Sequence, residues 1–142
     1  MSLDAYCDGA RRGSHTTPGH CACAFAVFNL GKLVAQGGRY LGRGSNNHAE
    51  YHGLLDCLKW AESNSVKGLS IHSDSQLIVR QVSGEWQVKQ EDLRPLRDLA
   101  YALLIRGGHT LSWVRGHNGN AGNELCDKLC NDILDKELHV KE

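Results

Sequence analysis

Four acids and one histidine are the residues of this chain whose types and spacing could do chemistry. Asp8 closes an alternating stretch in which Leu3, Ala5 and Cys7 share one face. Glu50 falls in the first turn of a segment with helical spacing, and Asp74 follows a short apolar run. His117 lies in the Asn- and Gly-rich stretch WVRGHNGN, and Asp127 lies in the segment that follows it. Four carboxylates gathered together would repel one another unless something positive neutralised them. Hard oxygen donors suit Mg²⁺ or Mn²⁺. Two such ions roughly 3.5–4 Å apart would clamp a phosphoryl group. An exposed imidazole near neutral pH can already carry a proton, so His117 needs no strong partner. Each acid also has a plainer reading: Asp8 in an Asp-Gly turn, Glu50 as capping partner of Asn47, Asp74 as a helix N-cap, Asp127 as a solvated helix residue.

The elements that must position these groups follow from periodicity. Residues 3–8 read as a strand and residues 11–20 as a polar, turn-rich loop. Residues 21–28 and 33–41 read as two more strands joined by a turn, giving a meander. A helix is predicted over 47–63, where Ala49, Gly53, Leu54, Cys57, Leu58 and Ala61 share a face. Residues 69–73 form a fourth strand, and Asp74-Ser75 can cap a short helix carrying Leu77, Ile78 and Val82. A helix over 91–105, a strand over 110–114 and a helix over 121–135 complete the order βββαβααβα. Residues 136–142 are a charged tail expected to fray. The last helix carries the stripe Asn123, Asp127, Cys130 and Leu134, so Asp127 is expected to face the domain. Trp60 and Trp113 are expected in the core. Three antiparallel strands followed by strands separated by helices predict a single α/β domain over 1–135 with a five-stranded mixed sheet flanked by helices. In such sheets ligands sit at the carboxyl ends of the parallel strands, which is where the acids fall.

Composition bounds the rest. With 142 residues, 41% hydrophobic and 23% charged, the chain can bury a sizeable core and is not of disordered composition. The longest apolar run, residues 21–28, is far short of a membrane span. The first residues, MSLDAYCDG, do not resemble a secretory signal, so a cytoplasmic protein with no membrane partner is expected. The six cysteines then read as thiols, mostly small core residues. Net charge is zero, yet residues 1–45 hold five Lys/Arg against two acids, leaving room for a locally basic surface. His48 and His52 stand i, i+4 on the first helix, a spacing seen in zinc sites, although no third ligand has suitable spacing.

The motifs Y-C-D-G (6–9), S-N-N-H-A-E (45–50), S-D-S-Q (73–76) and W-V-R-G-H-N-G-N-A-G-N-E-L-C-D (113–127) together resemble type 1 ribonuclease H. Each motif alone is weak; four in the family's order, over nearly the whole chain, are specific. The resemblance implies the ribonuclease H-like fold and a metal-dependent endonuclease that hydrolyses the RNA strand of an RNA/DNA hybrid. Two Mg²⁺ or Mn²⁺ ions would serve the reaction, leaving 5′-phosphate and 3′-hydroxyl ends. It also implies that Asp8, Glu50, Asp74 and Asp127 are the metal-binding catalytic carboxylates, and that His117 assists proton handling or product release. Asn46, Asn47 and Gln76 would contact the hybrid in its minor groove, Ser45 a DNA phosphate, and Asn123 would stand beside the last acid as a further substrate-binding residue. Amide groups both donate and accept, which suits 2′-hydroxyls and base edges. A monomer is expected.

The chain departs from the family pattern in two places. The stretch between Asp8 and Pro18 is longer and carries Arg11, Arg12 and His15, and Thr17 replaces the family's asparagine before Pro-Gly. The family's basic protrusion is missing: only Arg80, Lys89, Arg94, Arg97, Arg106 and Arg115 are basic between Asp74 and Asp127. Arg11 and Arg12 are therefore candidates for phosphate contacts in its place, and Trp86 for stacking on a sugar. Two other readings stay open: another nuclease of the same fold, integrase-like or junction-cutting, and a non-catalytic module binding hybrids or double-stranded RNA. Clustered negative charge near phosphates counts against the binding module.

Overall fold

In a computed structural model of the chain, residues 3–13, 18–115 and 120–140 are described, with side chains as far as residue 138. Strands β1 (Leu3–Arg12), β2 (Gly19–Asn29) and β3 (Lys32–Gly44) form an antiparallel meander. Then come α1 (Asn46–Ser63), β4 (Ser70–Ser73), α2 (Gln76–Val82), a 3₁₀ turn (Glu91–Leu93), α3 (Arg94–Gly107), β5 (Thr110–Trp113) and α4 (Ala121–Val140). The sheet order is β3-β2-β1-β4-β5, with β4 parallel to both β1 and β5. This is the mixed sheet expected from the pattern of elements.

Alternation along the strands divides the core in two. Ala5, Cys7, Phe25, Val27 and Ile71 face α1 and α3, where Leu54, Leu58, Leu103 and Leu104 close one layer. Ala22, Ala24 and Ala26 face the other way and pack on Cys126, Cys130 and Leu134 of α4. Three alanines beneath two cysteines make a thin seam, which lets α4 lie close to the sheet. All six cysteines are buried free thiols, as expected of small core residues. No helix among the described residues is long and apolar enough to cross a membrane.

Several boundaries differ from the sequence expectation, each for a local reason. Residues 11 and 12 are not loop: β1 runs to Arg12 because β2 offers a partner at His20. Asn47 does not cap α1; Ser45 does, its hydroxyl accepting from His48 N–H at 3.2 Å. Ser75, and not Asp74, caps α2 by accepting from Ile78 N–H at 3.3 Å. Helix α4 continues past Asp135 to Val140. Trp113 is not in the core; it is 41% exposed, while Trp60 is partly buried against the α1 side. Strand side chains alternate, so Leu111 and Trp113 of the edge strand β5 share one face, and that face is not fully covered.

Two glycines set how closely α1 approaches β1. A Cβ on Gly9 would lie 2.3 Å from the Ala49 carbonyl carbon, and one on Gly53 would lie 2.5 Å from the Asp8 carbonyl oxygen. Both obstacles are backbone, so neither can swing aside. Gly53→Ala is therefore expected to lower stability by about 1–3 kcal/mol, the usual range for overpacking. Urea unfolding of the variant checks this, and an unchanged midpoint would show that α1 has room to withdraw.

Candidate active site

The register of the parallel strands brings the first two acids together. Cys7 pairs with Ser73, so Asp8, the next residue of β1, comes beside Asp74, the first residue after β4. The close approach of α1 then adds Glu50 from its first turns. One oxygen from each of Asp8, Glu50 and Asp74 falls within 4.8 Å of the others, the only such group of three or more His, Cys, Asp or Glu among the described residues. Asp8 is 5% exposed and Glu50 7% exposed, whereas Asp74 is half-buried. The Gly9 N–H serves both buried acids, donating to Asp8 Oδ1 at 2.8 Å and to Glu50 Oε1 at 3.2 Å. Trp113 Nε1–H donates to the Asp74 carbonyl at 3.3 Å, tying β5 to the start of the turn that carries this acid.

Electrostatics at the trio is unfavourable without a cation. Burial, then the Asp74 charge, raises Asp8 to about 7, against the lowering effect of its bonds with Glu50 and Gly9. Burial also pushes Glu50 well above the usual carboxylate range, with Asp8 and Asp74 adding to it. Three carboxylates converging at this distance offer only hard oxygen donors, which fit a Mg²⁺- or Mn²⁺-class ion and not a soft metal.

Asp127 stands apart from the trio on α4. It is half-buried and close enough for its charge to raise Asp8. Asn123, one turn before it, is 1% exposed, and its Nδ2 has no hydrogen-bond partner among the described residues. Its N–H donates to Asn120 Oδ1 at 3.0 Å, which closes the first turn of α4. His117 lies outside the described residues.

The expected substrate contacts lie around the start of α1. Ser45 and Asn46 are exposed at its N-terminus, and Asn47 is half-buried. A cavity of about 560 Å³ separates this end from α2 and is lined by Asn47, Leu77, Gln81 and Trp86 among others. Gln76 opens α2, with its amide oxygen placed to accept from Arg80 Nε at 3.1 Å. Trp86 is 43% exposed and carries the Arg80 guanidinium 5.7 Å from its ring centre. Arg12 is turned to α4, donating to Asp135 Oδ1 at 2.5 Å and Asn131 Oδ1 at 2.9 Å. Arg11 lies against Gly19, where a Cβ would meet its Nε at 2.9 Å.

Three contributors escaped the sequence reading. Gly9 and Gly53 set the α1–β1 distance, and their signal was legible as glycine inside a strand and a helix, where it is destabilising without a packing reason. The hydrogen bond from Tyr51 Oη–H to Gln81 Oε1 at 2.7 Å fixes α2 against α1, and no local signal announces it.

The fold and the site define an α/β protein with a cluster of three carboxylates at the carboxyl ends of its parallel strands and the start of α1. The chain belongs to the RNase H family, whose model matches residues 2–134. A ribonuclease HI of Halobacterium salinarum is 38% identical over 134 residues, 94% of this chain and 64% of that protein. The bifunctional protein Rv2228c of Mycobacterium tuberculosis is 33% identical, over 95% of this chain but 36% of its own length. The chain thus spans less than two thirds of either relative. The crystal structure of RNase H1 from Halobacterium salinarum superposes with a TM-score of 0.84 at 35% identity, covering 96% of this chain and 99% of that one. The N-terminal RNase H domain of rv2228c gives 0.85 at 30% identity, covering 99% of both. LC11-RNase H1, solved in complex with an RNA/DNA hybrid, shares the fold at 24% identity, with a TM-score of 0.83 over 96% of this chain and 99% of that one.

The raised Asp8 makes a pH prediction. Its unfolded value is near 3.8 and its folded value about 7. The unfolded chain therefore ionises first, and metal-free stability should fall as pH rises from about 4 to about 7 and then level off, by on the order of a few kcal/mol. Asp8→Asn removes this loss, so in EDTA it should melt several degrees higher than the parent at pH 8 and about equally at pH 4. Excess Mg²⁺ should narrow the gap at pH 8 by stabilising the parent. Thermal melts at both pH values test it; a gap that ignores pH would contradict the electrostatic account.

Proposed function

We propose that this protein is an endonuclease that hydrolyses the RNA strand of RNA/DNA hybrids with two divalent ions, leaving 5′-phosphate and 3′-hydroxyl ends. The observation that carries the reading is the convergence of Asp8, Glu50 and Asp74 within 4.8 Å in a chain of the RNase H family. Asp8, Glu50 and Asp74 would hold Mg²⁺ or Mn²⁺, with Asp127 completing the site from α4. Bound ions of this kind neutralise phosphate charge and lower the pKa of coordinated water.

The chain's own residues do the rest. The Gly9 amide keeps Asp8 and Glu50 oriented at the sheet edge, and the Trp113 indole holds the Asp74 backbone. His117 takes up or delivers the proton exchanged with the leaving oxygen. Asn46, Asn47 and Gln76 meet 2′-hydroxyls and base edges across the minor groove, which gives little sequence discrimination. Ser45 meets a phosphate of the DNA strand, and Asn123 offers beside Asp127 an amide nitrogen that has no partner among the described residues. Trp86 supplies an exposed ring for a sugar. Arg11 contributes a phosphate contact; Arg12 does so only by leaving Asp135.

Cleavage of an end-labelled RNA/DNA duplex tests the proposal. Cutting of the RNA strand is expected with Mg²⁺ or Mn²⁺, none with EDTA, and a loss of about 100-fold or more in kcat for Asp74→Asn, the scale on which transition-state charge stabilisation is lost. Hybrid binding without cleavage under every metal condition would make the protein a binding module instead. For the grip, Arg11→Ala should raise KM and flatten its salt dependence while leaving kcat near the parent value. An unchanged KM would remove Arg11 from the interface.

A further inference from the structure

His48 and His52 stand one turn apart on the side of α1 opposite Glu50, between that helix and β3. Their Nε2 atoms face each other at 3.3 Å, with ring planes 67° apart. That separation is long for a hydrogen bond. It is, however, the chord spanned by two ligands of one tetrahedral ion. With metal–nitrogen bonds of about 2.0–2.1 Å, two nitrogens 3.3 Å apart subtend about 104–111°. Two histidines at i, i+4 on one helical face are a recurrent zinc-chelating pair.

The surroundings permit a cation. Arg39 approaches His52 Nδ1 at 3.4 Å, but its charge is matched by Asp56, which accepts at 2.8 and 3.1 Å. Both histidines are half-buried. Among the described residues no third His, Cys, Asp or Glu joins the pair. Two coordination positions are then left to water or to an outside ligand.

We propose that His48 and His52 form a binding site for a zinc-class divalent cation, such as Zn²⁺, Ni²⁺ or Cu²⁺, separate from the carboxylate site. Imidazole nitrogen selects such borderline ions, as carboxylate oxygen selects Mg²⁺ or Mn²⁺. An ion here cross-links the first two turns of α1, the helix that carries Glu50, and so stabilises that helix end without entering the chemistry. The inference does not depend on the nuclease reading.

The test uses the whole chain labelled with ¹⁵N at its histidines and titrated with Zn²⁺ in the presence of excess Mg²⁺. Zn²⁺ should shift the ring Nε2 signals of both His48 and His52 at micromolar concentrations, while Mg²⁺ alone moves neither. His48→Gln and His52→Gln should each weaken this binding by more than about tenfold, the lower range found for partners one shell further out. Asp74→Asn should retain it. Circular dichroism checks that both variants fold, and the parent's ring signals decide the matter if one does not. Ring signals that ignore Zn²⁺ in the parent, or an affinity unchanged in either variant, would overturn the proposal.

Discussion

The amide of Gly9 is the point on which the site turns. It donates to Asp8 and Glu50 at once, and it can do so only because nothing stands between β1 and the first turns of α1. A side chain on Gly9 would occupy the space now filled by the Ala49–Glu50 backbone, and one on Gly53 would strike the Asp8 carbonyl. The two glycines therefore fix the depth at which Glu50 sits. That depth is what buries two like-charged groups together and raises both of their pKa values. Burial and mutual repulsion oppose folding in the absence of a cation, so the scaffold must hold the acids against their preference.

The scaffold does this from both faces of the sheet. On one side Tyr51, Leu54, Leu55 and Leu58 anchor α1 over β1, with α3 packed behind it. On the other, the alanines of β2 receive Cys126, Cys130 and Leu134, which seats α4 and sets the place of Asp127. The Gly122 backbone meets the Tyr6 ring so closely that a Cβ would lie 2.2 Å from it. Helix α4 thus enters over a flat aromatic surface next to Asp8. Asp74 is the most exposed of the trio: it sits in a turn, held from behind by the Trp113 indole and followed by a cap at Ser75. A partly open acid beside two buried ones leaves the outer side of the cluster accessible.

The groups proposed to meet the substrate are spread over separate elements and not gathered on a dedicated basic segment. Ser45, Asn46 and Asn47 belong to the start of α1, Gln76 to α2, and Trp86 to the stretch after α2. What holds them in one frame is the buried Tyr51–Gln81 hydrogen bond, together with Arg97, whose Nε donates to the Gln81 carbonyl at 3.2 Å. Arg80 is shared between the Gln76 amide, the Trp86 ring and Glu85, so this surface is ordered by its own side chains. Arg12, in contrast, serves the docking of α4.

The order of elements, the mixed sheet and the position of Asp8, Glu50 and Asp74 at or near segment ends were readable from the sequence, because side-chain periodicity and acids at segment ends are local properties. So was the thiol character of the buried cysteines. Cap identity was not: Ser45, Asn46 and Asn47 are all competent by type, and the choice depends on where the backbone leaves β3. Trp113 was misjudged for the same reason, since an apolar alternation cannot tell an edge strand from a central one. The 4.8 Å convergence of three acids and the Nε2–Nε2 separation of His48 and His52 belong to the tertiary structure alone. Sequence determines which groups exist and which face of an element they occupy. The distance between faces is set by packing, here by two glycines that let a helix touch a strand.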